Sequence, residues 1–136
     1  MTFDLREHTA DVAVEATADD LGGAFAACAD GMAEAMAADV PEGGERFTVE
    51  ERASNREALL YDYLDRLIYE RDVRGVLPVD NEASVRREGD EWVVEASARG
   101  VPLSEVAARD LKAVTYSEMD LSERDGEWHA YVVFDV

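Results

Sequence analysis

Lysine is almost missing from this chain. Its 13 basic residues are twelve arginines and a single lysine, Lys112, set against 32 acids for a formal net charge of −19. No basic stretch is present that could neutralise a phosphate backbone, so direct nucleic-acid binding is not expected. Cysteine is equally scarce. Cys28 stands alone, which excludes an internal disulfide and a thiolate metal cluster. Its neighbours Ala26, Ala27 and Ala29 point instead to a buried helical thiol. No apolar run approaches the roughly 18 residues needed to cross a bilayer. The opening Met1-Thr2-Phe3-Asp4-Leu5-Arg6-Glu7 has neither the basic region nor the apolar stretch of a signal peptide, so a cytoplasmic protein is expected. Glycine-rich phosphate loops and activated nucleophiles are missing too, which argues against a stand-alone enzyme and leaves no catalytic residue to name.

What is present is enough for one folded domain spanning residues 1–136, with 47% hydrophobic residues to fill its core. The acids are dispersed along the chain rather than massed in a block, which suggests adaptation to molar salt. At about 1 M salt the Debye length is only about 3 Å, and such a surface ceases to repel itself. In that setting Lys112 draws notice. Where arginine serves everywhere else, a retained lysine suggests a need for a compact ammonium.

Residues 12–18 read as a strand, following another at about 2–7. Asp19 and Asp20 then sit where a helix N-terminus favours negative charge. Leu21, Phe25, Cys28, Met32 and Met36 form an apolar stripe on that helix, with the two methionines as core. Pro41 and Gly43-Gly44 end the helical region. A short strand over 46–53 precedes Ser54-Asn55-Arg56-Glu57, which matches a capping box and predicts a second helix. Leu60, Leu64, Leu67 and Ile68 are its buried face, with Tyr61, Tyr63 and Tyr69 at the core margin, their hydroxyls wet.

Beyond Gly75 the pattern changes to strands. Ser84–Arg87 and Trp92–Arg99 flank Glu88-Gly89-Asp90-Glu91, while Leu111–Leu121 and Trp128–Val136 flank Asp125-Gly126, the stronger hairpin turn. In the last strand Trp128, Ala130, Val132, Phe134 and Val136 share one face. His129, Tyr131, Val133 and Asp135 share the other. The expected architecture is α+β, a two-layer domain of mostly antiparallel sheet with two helices packed on one face.

Three segments could carry chemistry. His8-Thr9-Ala10-Asp11 places a histidine and an aspartate three apart at a strand junction, where Thr and Asp also make ordinary turns. Asp135-Val136 sets a carboxylate next to the final residue and its own oxygens, a hard-oxygen cluster suited to Ca²⁺, Mg²⁺ or Mn²⁺ rather than zinc. Leu111-Lys112-Ala113-Val114-Thr115-Tyr116 carries the lone lysine in a strand, on the face opposite Leu111 and Ala113. His129, beside a tryptophan, reads as structural or exposed.

Taken in order, His8-Thr9-Ala10-Asp11-Val12, Leu60-Tyr61-Asp62-Tyr63-Leu64, Lys112-Ala113-Val114-Thr115-Tyr116 and Asp135-Val136 resemble the archease pattern nearly end to end. The helix from Leu21, with Ala24-Phe25 and the Met32, Met36 pair, fits the same pattern. Ser117 departs from it, since many archeases carry histidine there. The resemblance implies an accessory protein of an RtcB-type RNA ligase in tRNA splicing, one that speeds guanylylation of the ligase and allows repeated turnover. It implies a divalent metal at Asp11, Asp135 and Val136, with calcium the leading choice and Mg or Mn the alternatives. Lys112 would lie beside that metal, and His8 and Thr9 would position the Asp11 loop. The other function implied for this family is that of chaperone or specificity modulator of a tRNA-modifying enzyme such as a tRNA methyltransferase.

Overall fold

A computed structural model describes residues 11–37 and 39–136. The strand read at 2–7 and the residues His8 and Thr9 lie outside the described residues. In chain order the elements are β1 (Asp11–Ala18), α1 (Leu21–Met36), β2 (Glu45–Ala53), α2 (Arg56–Arg74), β3 (Val76–Glu88), β4 (Glu91–Pro102), β5 (Ala113–Arg124) and β6 (Glu127–Asp135), with one 3-10 turn at Leu103–Glu105. Among the described residues no helix is long and apolar enough to cross a membrane.

Both helices begin where a short polar side chain can satisfy an orphan backbone N–H. Asp20 caps α1 by accepting from the Gly23 amide at 2.6 Å, and Asn55 caps α2 by accepting from the Ala58 amide at 2.8 Å. The capping box read from Ser54 is thus shifted by one residue. Asn55 is the cap, and Glu57 falls in the first turn where its charge suits the helix dipole. Gly75 ends α2 in the left-handed conformation at φ 67°, with its amide returning to the Arg71 carbonyl.

The strands form two antiparallel three-stranded sheets, β1-β6-β5 and β2-β4-β3. The expected α+β architecture, antiparallel strands with two helices packed on them, is present, with the strands arranged as two sheets that the helices span. Helix α1 packs on β1 and β6 of the first sheet and on β3 of the second, while α2 packs on β2, β3 and β4 of the second and on β5 of the first. Close approach is built into α1. A Cβ on Gly22 would collide with the Ala83 carbonyl of β3, and one on Gly31 would meet Val14 Cγ1 of β1 at 2.5 Å. Asp125 and Gly126 turn the β5–β6 hairpin with φ 54° and 79°, the paired positive values of a type I′ turn.

Core residues come from every layer. Phe25, Cys28, Met32 and Met36 of α1 are buried, as are Leu60, Leu64, Leu67 and Ile68 of α2 and Ala130, Val132 and Phe134 of β6. Fully burying each large aliphatic side chain contributes about 1.5–3 kcal/mol. Burial pushes the Cys28 thiol up to about 12, so it is an inert core group. Tyr61 lies half-buried at the core margin, as read, but the other two tyrosines differ. Tyr69 is exposed, but Tyr63 is fully buried, stacked 5.8 Å from Phe25, and its hydroxyl has no hydrogen-bond partner. Its position between Leu60 and Leu67 on the inner face of α2 outweighs the polarity of one hydroxyl.

Candidate functional site

Strand β1 lies along β6 in unbroken antiparallel register, from Ala18 opposite Trp128 to Asp11 opposite Asp135. Directly opposed residues of such a pair project to the same face, with Cβ atoms about 4.5–5.5 Å apart. Two carboxylates from distant parts of the sequence are thereby set within reach of one cation. Both aspartates are exposed, and Val136, the next residue, is half-buried. Opposite charges stabilise such cross-strand arrangements, so a cation shared by the two carboxylates would strengthen this register.

Asp135 is held from its other side as well. It pairs with Ala113 at the start of β5, and its carbonyl accepts the Lys112 amide at 2.8 Å. Lys112 precedes β5 by one residue rather than lying within the strand. Its side chain is exposed while that of Leu111 is fully buried, in keeping with the alternation read from sequence. Asp11, Asp135, Val136 and Lys112 are thus gathered at one end of the β1-β6-β5 sheet.

Placement of Lys112 depends on a residue that sequence reasoning missed. Arg71 is buried near the C-terminus of α2, and its NH1 donates to the Leu111 carbonyl at 2.8 Å and to Met36 Sδ at 3.3 Å. Its Nε donates to Asp72 at 2.9 Å, and its NH2 lies 3.7 Å from Asp110. The segment before β5, which has no regular structure, is therefore pinned to α2 by one guanidinium and to α1 by the Arg109 amide on the Met36 carbonyl at 2.8 Å. The signal was available. Arg71 continues the 60, 64, 67 spacing of the apolar stripe, and a cation in that register needs buried partners.

Several groups are not part of this site. His129 occupies the opposite end of the β1–β6 ladder, facing Thr17, with Nε2 3.4 Å from Glu127. Among the described residues no three of histidine, cysteine, aspartate and glutamate gather to hold a metal. A cation here would therefore rest on the Asp11–Asp135 pair, completed by oxygens of another kind. A cleft of about 250 Å³ lies beside Arg71, lined by Met36, Leu103, Val106, Arg109 and Asp110. It is smaller than the roughly 300–1,000 Å³ usual for small-molecule sites.

The model of the Archease protein family (MTH1598/TM1083) matches residues 3–136. Protein archease of Thermococcus gammatolerans is 32% identical over 136 residues, covering 96% of this chain and 95% of that protein. Protein archease of Pyrococcus abyssi is 30% identical over 135 residues, with 96% and 95% covered. Among solved structures, Methanobacterium thermoautotrophicum protein 1598 superposes with a TM-score of 0.83 at 30% identity, covering 98% of this chain and 96% of that one. A Thermotoga maritima archease, described as a possible chaperone, shares the fold with a TM-score of 0.65 at 20% identity, over 100% and 98% of the two chains.

Proposed function

The chain belongs to the archease family, and from that premise we propose that it is a metal-binding accessory protein of an RtcB-type tRNA-splicing RNA ligase. It promotes guanylylation of the ligase and lets the ligase turn over repeatedly. The single observation that supports this most is the pairing of Asp11 with Asp135 beside Lys112.

The donor set suits a hard divalent cation, with calcium first and Mg or Mn as alternatives. Two exposed carboxylates supply oxygen and no sulfur or imidazole, the chemistry that favours these ions over zinc. Asp11, Asp135 and a Val136 oxygen would hold it. Calcium takes about 6–8 oxygen ligands, so such a set leaves positions open for water or a phosphate oxygen. When bound, the cation supplies positive charge against which a phosphate can be oriented. Lys112, whose backbone amide is bonded to Asp135, would bring a second, compact positive group to this end of the sheet, able to meet that phosphate or to balance the carboxylates. His8 and Thr9 act by positioning the Asp11 loop. The chain acts on this reading as an activator of the ligase, not as an enzyme in its own right. It works in a cytoplasm of high salt, where its dispersed carboxylates keep it hydrated.

The decisive experiment measures ligase guanylylation and multiple-turnover RNA joining in high salt, with and without this chain. Faster guanylylation and repeated turnover are expected when it is added. If the ligase performs equally well without it, while the chain alters a tRNA methyltransferase instead, the ligase reading is wrong.

A further inference from the structure

At the opposite end of the first sheet from Asp11, the two hairpin turns approach the start of α2. Trp92 opens β4, Trp128 opens β6, and Arg56 opens α2 between them. The Arg56 guanidinium carbon lies 5.3 Å from the Trp92 ring centre and 5.2 Å from that of Trp128. Arg87 of β3 lies 5.7 Å from Trp92, its strand partner on β4. Arg87, Trp92, Arg56 and Trp128 thus alternate cation and aromatic ring, and link the central strands β4 and β6 of the two sheets.

The charges in this array are unusual for so acidic a chain. Nearby Arg52 and Arg86 both pair with Glu88, at 3.0 Å each. Among the described residues Arg56 and Arg87 have no carboxylate within salt-bridge range, although 32 acids are available. Arg56 donates no hydrogen bond to the described residues, and Arg87 uses only Nε, on the Gly89 carbonyl at 3.1 Å. Arg56 is half-buried and Arg87 is exposed. Stacking on tryptophan fixes the plane of a guanidinium while leaving its edge free, which preorganises the fork that carboxylates accept in bidentate fashion.

We propose that Arg56 and Arg87, braced by Trp92 and Trp128, form a docking site for an acidic segment of a partner protein. Tryptophan and arginine are the residue types that dominate interface energetics. Charge complementarity selects the occupant. On a chain of net charge −19, guanidiniums that are unneutralised and fixed in plane by tryptophan rings are a place where an acidic segment is attracted. RNA fits less well, because the tryptophan faces already carry guanidiniums, and phosphate-backbone binding gathers its affinity from many cations rather than two. This site lies away from the Asp11–Asp135 pair and does not rest on the ligase reading.

The chain contains two tryptophans, and both are in the array, so intrinsic fluorescence reads this site directly. The parent protein is titrated with an amidated hexaglutamate peptide, a hexaglutamine control and a uridine hexanucleotide, at about 1 M and about 0.1 M salt. Saturable fluorescence change with hexaglutamate alone is expected. Affinity should fall roughly tenfold in Arg87→Gln, an exposed position whose loss leaves the melting temperature nearly unchanged, and also in Arg56→Gln. Arg87→Lys keeps the charge but lacks the fork, and should recover only part of the affinity. A flat titration at both salts, an unaltered affinity in Arg87→Gln, or an equal response to the hexanucleotide would each overturn the proposal.

Discussion

Asp11 and Asp135 are direct partners across the β1–β6 ladder, so a pair of like charges closes one end of the first sheet. Calcium should therefore raise the melting temperature of the parent protein and leave Asp135→Asn unaffected. Without calcium the two proteins should differ by no more than about 1 kcal/mol, the scale of one cross-strand pair. Calorimetric unfolding with calcium and with chelator checks both halves. A parent indifferent to Ca²⁺, Mg²⁺ and Mn²⁺ alike would remove the metal from this site.

Lys112→Arg is expected to keep the fold and yet impair ligase activation. A planar fork does not replace a compact ammonium at this end of the sheet. Lys112→Ala should impair activation at least as much. Since the side chain is exposed, stability should change by no more than about 0.5 kcal/mol in either variant. Guanylylation rates measured beside melting curves decide the matter, and full activation by Lys112→Arg would make the lysine a compositional accident.

Tyr63→Phe should stabilise the protein, by about 1 kcal/mol, because it deletes a buried hydroxyl that lacks a partner. Tyr63→Ala should instead cost about 3–5 kcal/mol through the cavity left against Phe25. Denaturant midpoints give both values. A destabilised phenylalanine variant would mean that the hydroxyl is satisfied in solution.

Glu70 predicts a pH dependence. Its burial acts to raise the carboxyl pKa, but hydrogen bonds and charge from Arg66 at 2.8 Å and Arg74 at 2.5 Å prevail and lower it from 4.5. A depressed folded pKa contributes stability that is present above the unfolded value and lost as pH falls through the folded one. Glu70→Gln should thus be less stable than the parent by about 1–3 kcal/mol at neutral pH. The gap should narrow as the pH drops from about 7 to about 3, and a gap that stays constant over that range would contradict the assignment.

Salt supplies the remaining test. With a formal charge of −19, the melting temperature should climb as sodium chloride is raised from about 0.1 M towards about 1 M, as self-repulsion is screened. A melting temperature that is flat or falls would argue against adaptation to high salt.

Much of this fold could be read from local chemistry. Asp125-Gly126 demands positive φ at two successive residues and receives it, and the apolar spacing of α1 and α2 gives their buried faces directly. Tertiary packing decided what sequence could not. Whether Ser54 or Asn55 caps α2 turns on one residue of register, and both are good caps. The division into two sheets is invisible to a pattern that reports only alternation. At the site, the strand assignments around Asp11 and Asp135 left their mutual register open, because many pairings bury the same face. Arg71 was hidden by habit, since an arginine near a helix C-terminus reads as a dipole partner before it reads as a buried clasp.

The β2-β4-β3 sheet is assembled from one continuous stretch, Glu45 to Pro102, whereas β1 must wait for β6. On a ribosome the second sheet and α2 can form while the aspartate pair is still impossible. Loop closure between residues so distant in sequence is slow and comes late in folding. A chain interrupted before β6 would carry a partly built body that cannot present Asp11 and Asp135 together. The Asp11–Asp135 pair is therefore assembled only once the chain has been translated through Asp135.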